Sequence, residues 1–156
     1  MQDIAIARAL HVLAVVMWIG GVAFVTTVML PTIRHSNAPE QRFPSFHTME
    51  SRFAWQARLL VLLAGATGFY MVWRLDAWSR FDSLRFWWMH AMVCVWLIFT
   101  LMLFVIEPVF LHRRLARRAA IAPERTFARV EWMHRILLML SLLTVVGAVA
   151  GAYGFG

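Results

Sequence analysis

The feature that most constrains this chain is the length of its uncharged runs. Ala9 to Ile33, Phe86 to Ile106 and Ile136 to Gly156 contain no Asp, Glu, Lys or Arg. Each is long enough to cross a hydrocarbon core, which takes roughly 20 apolar residues. A fourth run, Leu59 to Trp73, is too short alone. To span, it must extend back through Phe53, Ala54, Trp55 and Gln56, which draws Arg58 below the interface. The pattern predicts four transmembrane helices over about 5–32, 53–74, 86–111 and 133–154, in one domain covering 1–156. The expected fold is all-α, an integral membrane four-helix bundle. Composition agrees: 62% of the 156 residues are hydrophobic and the mean hydropathy is +0.68. The first run is too long, and its basic flank too sparse, for the core of a cleaved signal.

Charge then orients the bundle. All fifteen basic residues are arginine. Arg8, Arg74, Arg80 and Arg85 fall at one end, and the other eleven at the opposite end or its edge. Positive residues favour the cytoplasmic side. The 34–52 and 112–132 loops are therefore expected in the cytoplasm and both termini in the periplasm, in a bacterial inner membrane. The net charge of +7 needs no nucleic acid; it reflects topology and contact with anionic lipid. The lone cysteine, Cys94, cannot form an internal disulfide.

Polar residues at a shared depth are the candidates for chemistry. His11 lies about two turns into the first span and His90 one to two turns into the third. At about 1.5 Å per residue, both sit on the order of 6–10 Å below the outer boundary. Histidine inside a membrane span is a functional candidate by default. Two imidazoles on facing helices suit the axial positions of b-type haem. Arg8, one turn outward from His11, and Arg74 and Arg85 at the same end could pair with its propionates. His11 and His90 are thus the expected haem ligands.

The opposite end carries a polar collar, in which Glu50, Arg52 and Glu131 accompany a candidate second site. That site comprises His47, His112, His134, Arg58 and Glu107, with a second haem as one reading. Arg58 either snorkels to the interface or neutralises a buried carboxylate such as Glu107. Copper is the rival cofactor. Met89, His90, Met92 and Cys94 crowd one stretch, and soft ligands suit Cu(I). Spacing weakens it, because Met92 is two residues from both His90 and Cys94 and points elsewhere. Trp87 and Trp88 read as an interfacial belt, and Gly147-x-x-x-Gly151 as a close-packing face.

The stretches ALHVLAVVMWIGGVAF, MESRFAWQARLLVLLAGATGFYM and WWMHAMVCVW resemble the copper-resistance protein D superfamily, which includes the HemJ-type protoporphyrinogen oxidases. The resemblance covers residues 8 to 105. Its most specific piece is His-x6-Trp-x-Gly-Gly, running from His11 through Trp18 to Gly20 and Gly21. It implies a small helical membrane protein, with b-type haem on the first-span histidine, His11. The HemJ pattern places His-x-Lys in the third span; here those positions hold His90 and Met92. That departure argues against protoporphyrinogen oxidation. The leading expectation is a haem-binding electron carrier whose partners are quinone or a redox subunit, in a chain able to pair as a homodimer. A HemJ-like oxidase and a copper-binding or uptake protein are the alternatives.

Overall fold

A computed structural model describes residues 1–154, with the backbone alone for residues 108–114. The helices are α1 (Gln2–Phe24), α2 (Leu30–Ser36), α3 (Pro39–Arg74), α4 (Trp87–Leu101), α5 (His112–Ile121) and α6 (Pro123–Ala152). A π-helical turn, Val25–Met29, fuses α1 to α2, and a longer one, Met102–Leu111, follows α4. Four rods are long and apolar enough to cross a membrane: Gln2–Ser36, Pro39–Arg74, Leu84–Glu107 and Pro123–Ala152. The protein is all-α, in the manner of a multi-pass membrane bundle.

The outward surface agrees with that reading. Val12, Val16, Leu62, Leu97, Leu143 and Val146 are all exposed along the middle of the rods. The interior is built from small and medium side chains. Ala14 and Trp18 of α1, Val61 and Ala64 of α3, Val95 and Phe99 of α4 and Leu138 of α6 form one core. All four rods contribute to it, and α1 and α3 share the most extensive contact. Hydroxyls in these rods bond their own helix: Thr26 donates to the Val22 carbonyl, Thr100 to Trp96 and Thr144 to Leu140. Such back-bonding satisfies a polar group where water is absent.

Three glycines let indole rings of α4 lie against backbone. A Cβ at Gly65 would sit 2.7 Å from the Trp96 indole, whose Nε1 donates to the Val61 carbonyl at 2.9 Å. Gly147 receives Trp87 and Gly151 receives Trp88. The small-residue face of α6 is thus filled by α4 of the same chain. Trp87 and Trp88 are not only a belt; each seats an edge on a glycine.

The rods outgrow the expected spans. α3 begins at Pro39 rather than near residue 53, and α6 at Pro123 rather than near 133. Proline suits the first turn because its missing N–H would be unpaired there anyway. The added turns are held by a second core: Val25, Leu30 and Ile33 pack on Phe46, Phe127 and Val130. A 36-residue helix is about 54 Å long, against a hydrocarbon core of about 30 Å. Much of the two expected loops is therefore helix that continues the bundle.

Both π-helical turns lie at prolines. Pro31 follows the first and Pro108 lies within the second. Proline has no N–H to give the preceding turn, so the ladder shifts there. In the π register the carbonyl of Leu103 would accept from residue 108, which is that proline. Arg58 Nε supplies the missing donor, at 3.0 Å.

Candidate functional sites at the two ends of the bundle

At the end where α1 begins, His11 is turned toward α3. Its Nδ1 lies 2.9 Å from the Ala64 carbonyl and 3.1 Å from Thr67 Oγ1. Thr67 Oγ1 is itself 2.6 Å from the Leu63 carbonyl. The threonine proton goes to that carbonyl, so its oxygen can only accept from His11. Nδ1 must then carry the imidazole proton, shared between Ala64 and Thr67. Nε2 is left with its lone pair. Gly68 makes the approach possible: a Cβ there would meet His11 Cε1 at 3.1 Å.

Beside this lock, α1 and α3 form an open groove of ≈ 500 Å³. Its floor is apolar, from Ile6, Ala7, Leu10 and Ala66. Thr67, Tyr70 and Asp3 supply its polar edge. At that edge one oxygen of Asp3 accepts from Tyr70 Oη at 3.0 Å and from Arg74 Nε at 2.9 Å. Arg74 Nη2 is 2.8 Å from the same oxygen. Arg74 is thus engaged by a carboxylate of the chain itself. Arg8 and Arg85 are exposed.

His90 is used differently. Its Nε2 contacts the Phe81 carbonyl at 3.0 Å and its Nδ1 the Phe86 carbonyl at 3.3 Å. Its ring also packs edge-on to Phe81, with centroids 5.5 Å apart. Phe81 and Phe86 belong to two short 3₁₀ turns, Trp78–Asp82 and Leu84–Phe86, between α3 and α4. His90 pins this loop onto the top of α4. Arg80 lies over the Phe86 ring at 5.5 Å and tightens it further. The imidazole in the apolar run therefore has its partners in backbone.

The soft donors of α4 are divided. Met89 is buried and Cys94 is exposed, so they lie on different sides of the helix. Among the described residues no three His, Cys, Asp or Glu side chains gather as a metal site.

The resemblance motif also finds its places. Trp18 is 4% exposed and stacks edge-on with Phe99 at 4.8 Å. Its Nε1 is a buried donor with no partner among the described residues. Gly21 receives the Phe53 ring, while Gly20 faces open space.

At the opposite end, Arg58 Nη2 is 3.4 Å from Glu107 Oε1, in addition to its bond to the Leu103 carbonyl. The expected pairing with Glu107 is present, and the guanidinium also repairs the π-helical turn. His47, Glu50, Glu107 and His134 line one small cavity. His134 Nδ1 lies 2.9 Å from the Val130 carbonyl. The side chain of His112 lies outside the described residues. Nearby, Arg34 Nη1 donates to Glu131, which is 5% exposed.

Sequence reasoning singled out His11, His90 and the collar but did not name Thr67 as a partner of His11. A signal for Thr67 existed: it is one of few polar residues in the apolar run Leu59–Trp73. Comparison with protein-family models, with curated proteins and with solved structures finds no match.

Proposed function

We propose that this chain is a membrane cytochrome that carries b-type haem on His11 and moves electrons within a bacterial inner membrane, both termini facing outward. The observation that carries the reading is the His11 lock. Histidines that bind metal usually give their second N–H to a carbonyl, which fixes the tautomer and raises ligand basicity. Ala64 and Thr67 do this for His11. Its Nε2 then has the lone pair that iron requires.

The surrounding residues suit the group. The apolar groove floor would lie against a flat macrocycle, and Arg8 and Arg74 stand toward the end where propionates would emerge. Asp3 competes for Arg74. Haem would supply a one-electron couple, while the chain supplies burial, orientation and charge. His90 is the second ligand in this reading. To serve, it must exchange the Phe81 carbonyl for iron and loosen the loop it holds.

The test is the absorption spectrum of purified protein expressed with ample haem, oxidised and dithionite-reduced, with pyridine haemochrome quantification. A Soret band with sharp reduced α and β bands is expected, and its loss in His11→Ala. Loss in His90→Ala as well would give iron two protein ligands, and retention would leave His11 as the single anchor. Colourless wild type, or full colour in His11→Ala, would sink the reading. Copper content measured on the same sample decides the rival.

A further inference from the structure

One pattern, Arg-x2-Trp-x2-Arg, occurs on two rods at the collar end. α3 carries it as Arg52, Trp55 and Arg58, and α6 as Arg129, Trp132 and Arg135. Both copies stand beside the same turn of the third rod. Arg58 Nη2 lies 3.4 Å from Glu107, and Glu107 lines a small cavity with Val130 and His134. Residues three apart share a helix face, so each indole lies between two arginines. Trp55 is 63% exposed and Trp132 64%, so neither serves the core. Arg52, Arg129 and Arg135 are exposed as well. Among the described residues no ion pair or hydrogen bond engages these three arginines.

The aromatic residues also measure a distance. Tryptophan and tyrosine gather at the two edges of a bilayer. On α3 the exposed Trp73 follows Trp55 by eighteen residues, about 27 Å of helix. Beyond the end of α6 the exposed Tyr153 follows Trp132 by twenty-one residues, about 32 Å. Both spacings match a hydrocarbon core of about 30 Å. Two rods thus put the collar-side edge of the bilayer at the same motif.

Toward the middle of the membrane, the exposed face turns aliphatic in the same register on both rods. Arg52, Trp55, Leu59 and Leu62 follow one stripe of α3. Arg129, Trp132, Ile136 and Met139 follow one stripe of α6. All eight are exposed, at the spacing of a single helix face. Guanidinium, indole and alkyl chain succeed one another in the order of a phospholipid's phosphate, glycerol ester and acyl chain. Arginine pairs with phosphate through two N–H groups, and an indole N–H can donate to an ester carbonyl. A soluble acidic protein could meet the arginines but not the aliphatic stripe beneath them. Neither stripe carries a carboxylate to receive a choline ammonium, which favours an anionic headgroup over a zwitterionic one.

We propose that the two stripes are binding sites for anionic phospholipid, one on α3 and one on α6. Arg52 and Arg129 take the phosphate, and the indoles of Trp55 and Trp132 lie at the glycerol level. Arg135 adds a second guanidinium on α6. On α3 the corresponding Arg58 is turned inward, to Glu107 and the Leu103 carbonyl. The sites need no cofactor and stand apart from the haem reading.

The test is native mass spectrometry of the full chain released from detergent micelles. The protein is titrated with phosphatidylglycerol or with phosphatidylcholine of the same acyl chains. Wild type is expected to retain two phosphatidylglycerol molecules in preference to phosphatidylcholine. Arg52→Gln and Arg129→Gln should each weaken retention of one molecule by about fivefold, the effect of one arginine near an anionic surface. Trp132→Leu, which leaves the charge unchanged, should weaken it too. Arg117→Gln combined with Arg118→Gln removes two exposed charges from α5, away from either stripe, and should change nothing. Equal retention of the two lipids by wild type overturns the proposal. So does equal loss in the α5 variant, which would mean diffuse charge attraction. Displacement of the lipid by inorganic phosphate would assign the arginines to a free anion instead. Unchanged retention in both Arg52→Gln and Arg129→Gln would leave them to an acidic protein, and either result overturns the lipid sites.

Discussion

The two ends of the bundle solve the same problem in opposite ways. Each has histidines to satisfy near the ends of apolar rods. At the α1 end, His11 and His90 turn to backbone carbonyls, and a charged cluster, Asp3 with Arg74, sits at the exposed edge. At the collar end, charged side chains turn inward: Arg58 pairs with Glu107, which lines a small cavity together with Glu50. The neutral His11 imidazole, held through Nδ1 by a carbonyl, keeps its lone pair on Nε2. At the other end, carboxylates and histidines from three rods line a common cavity. One end therefore satisfies its histidines with backbone, while the other sets charge against charge.

The sharpest way to break this contrast is Arg58→Leu. It removes the Arg58 guanidinium from Glu107 and the donor from the Leu103 carbonyl. Removing one partner of a buried pair costs several kcal/mol, and partial exposure of Arg58 reduces this to about 3 kcal/mol. The expected result is a large drop in the midpoint of chemical unfolding in mixed micelles. An unchanged midpoint would make Arg58 a snorkelling surface residue.

Gly65→Leu attacks the shared middle rather than either end. Displacing the Trp96 indole and its bond to Val61 should cost about 2 kcal/mol, the scale of an overpacked core. The same unfolding assay should report it, with Trp fluorescence shifted toward a more polar environment.

His90→Ala should cost about 1–2 kcal/mol, for one modest hydrogen bond and the edge-on contact with Phe81, and its effect should be local. Trypsin should cut faster at Arg80 and Arg85, with cleavage at the collar arginines unchanged. Equal cutting at both ends would mean that His90 supports the whole bundle instead of its loop.

The smallest effect belongs to Asp3→Asn. A part-exposed ion pair contributes below about 1 kcal/mol, so stability should barely move. If Arg74 serves propionates, freeing it should strengthen haem retention in a transfer assay to apo-myoglobin. Weaker retention would assign Asp3 an orienting role toward Arg74.

The sequence made some of this legible and concealed the rest for definite reasons. The spans could be read because bilayer thickness sets a minimum apolar length, and Ala9–Ile33 or Phe86–Ile106 meets it without help. The inward extensions of α3 and α6 could not, because residues 39–52 and 123–132 are polar enough to pass for loops. Their helicity rests on Phe46, Phe127 and Val130 finding one another across the bundle. The Arg58–Glu107 pair was an alternative in the sequence and became a contact in the structure. The role of Arg58 at Leu103 was hidden, since it follows from a ladder shift at Pro108 in a different rod.

What the sequence determined by itself was position along each rod. Rise per residue fixes how far His11, His90 and Arg58 lie from the ends of their apolar runs, whatever the helices touch. What only the tertiary structure decided was direction. In rods that are apolar on all sides, no polar face announces which neighbour a side chain will meet. Packing settles that, through where Gly65, Gly68, Gly147 and Gly151 let helices close. It turned His11 onto the second span, His90 onto its own loop and Glu50 toward Glu107.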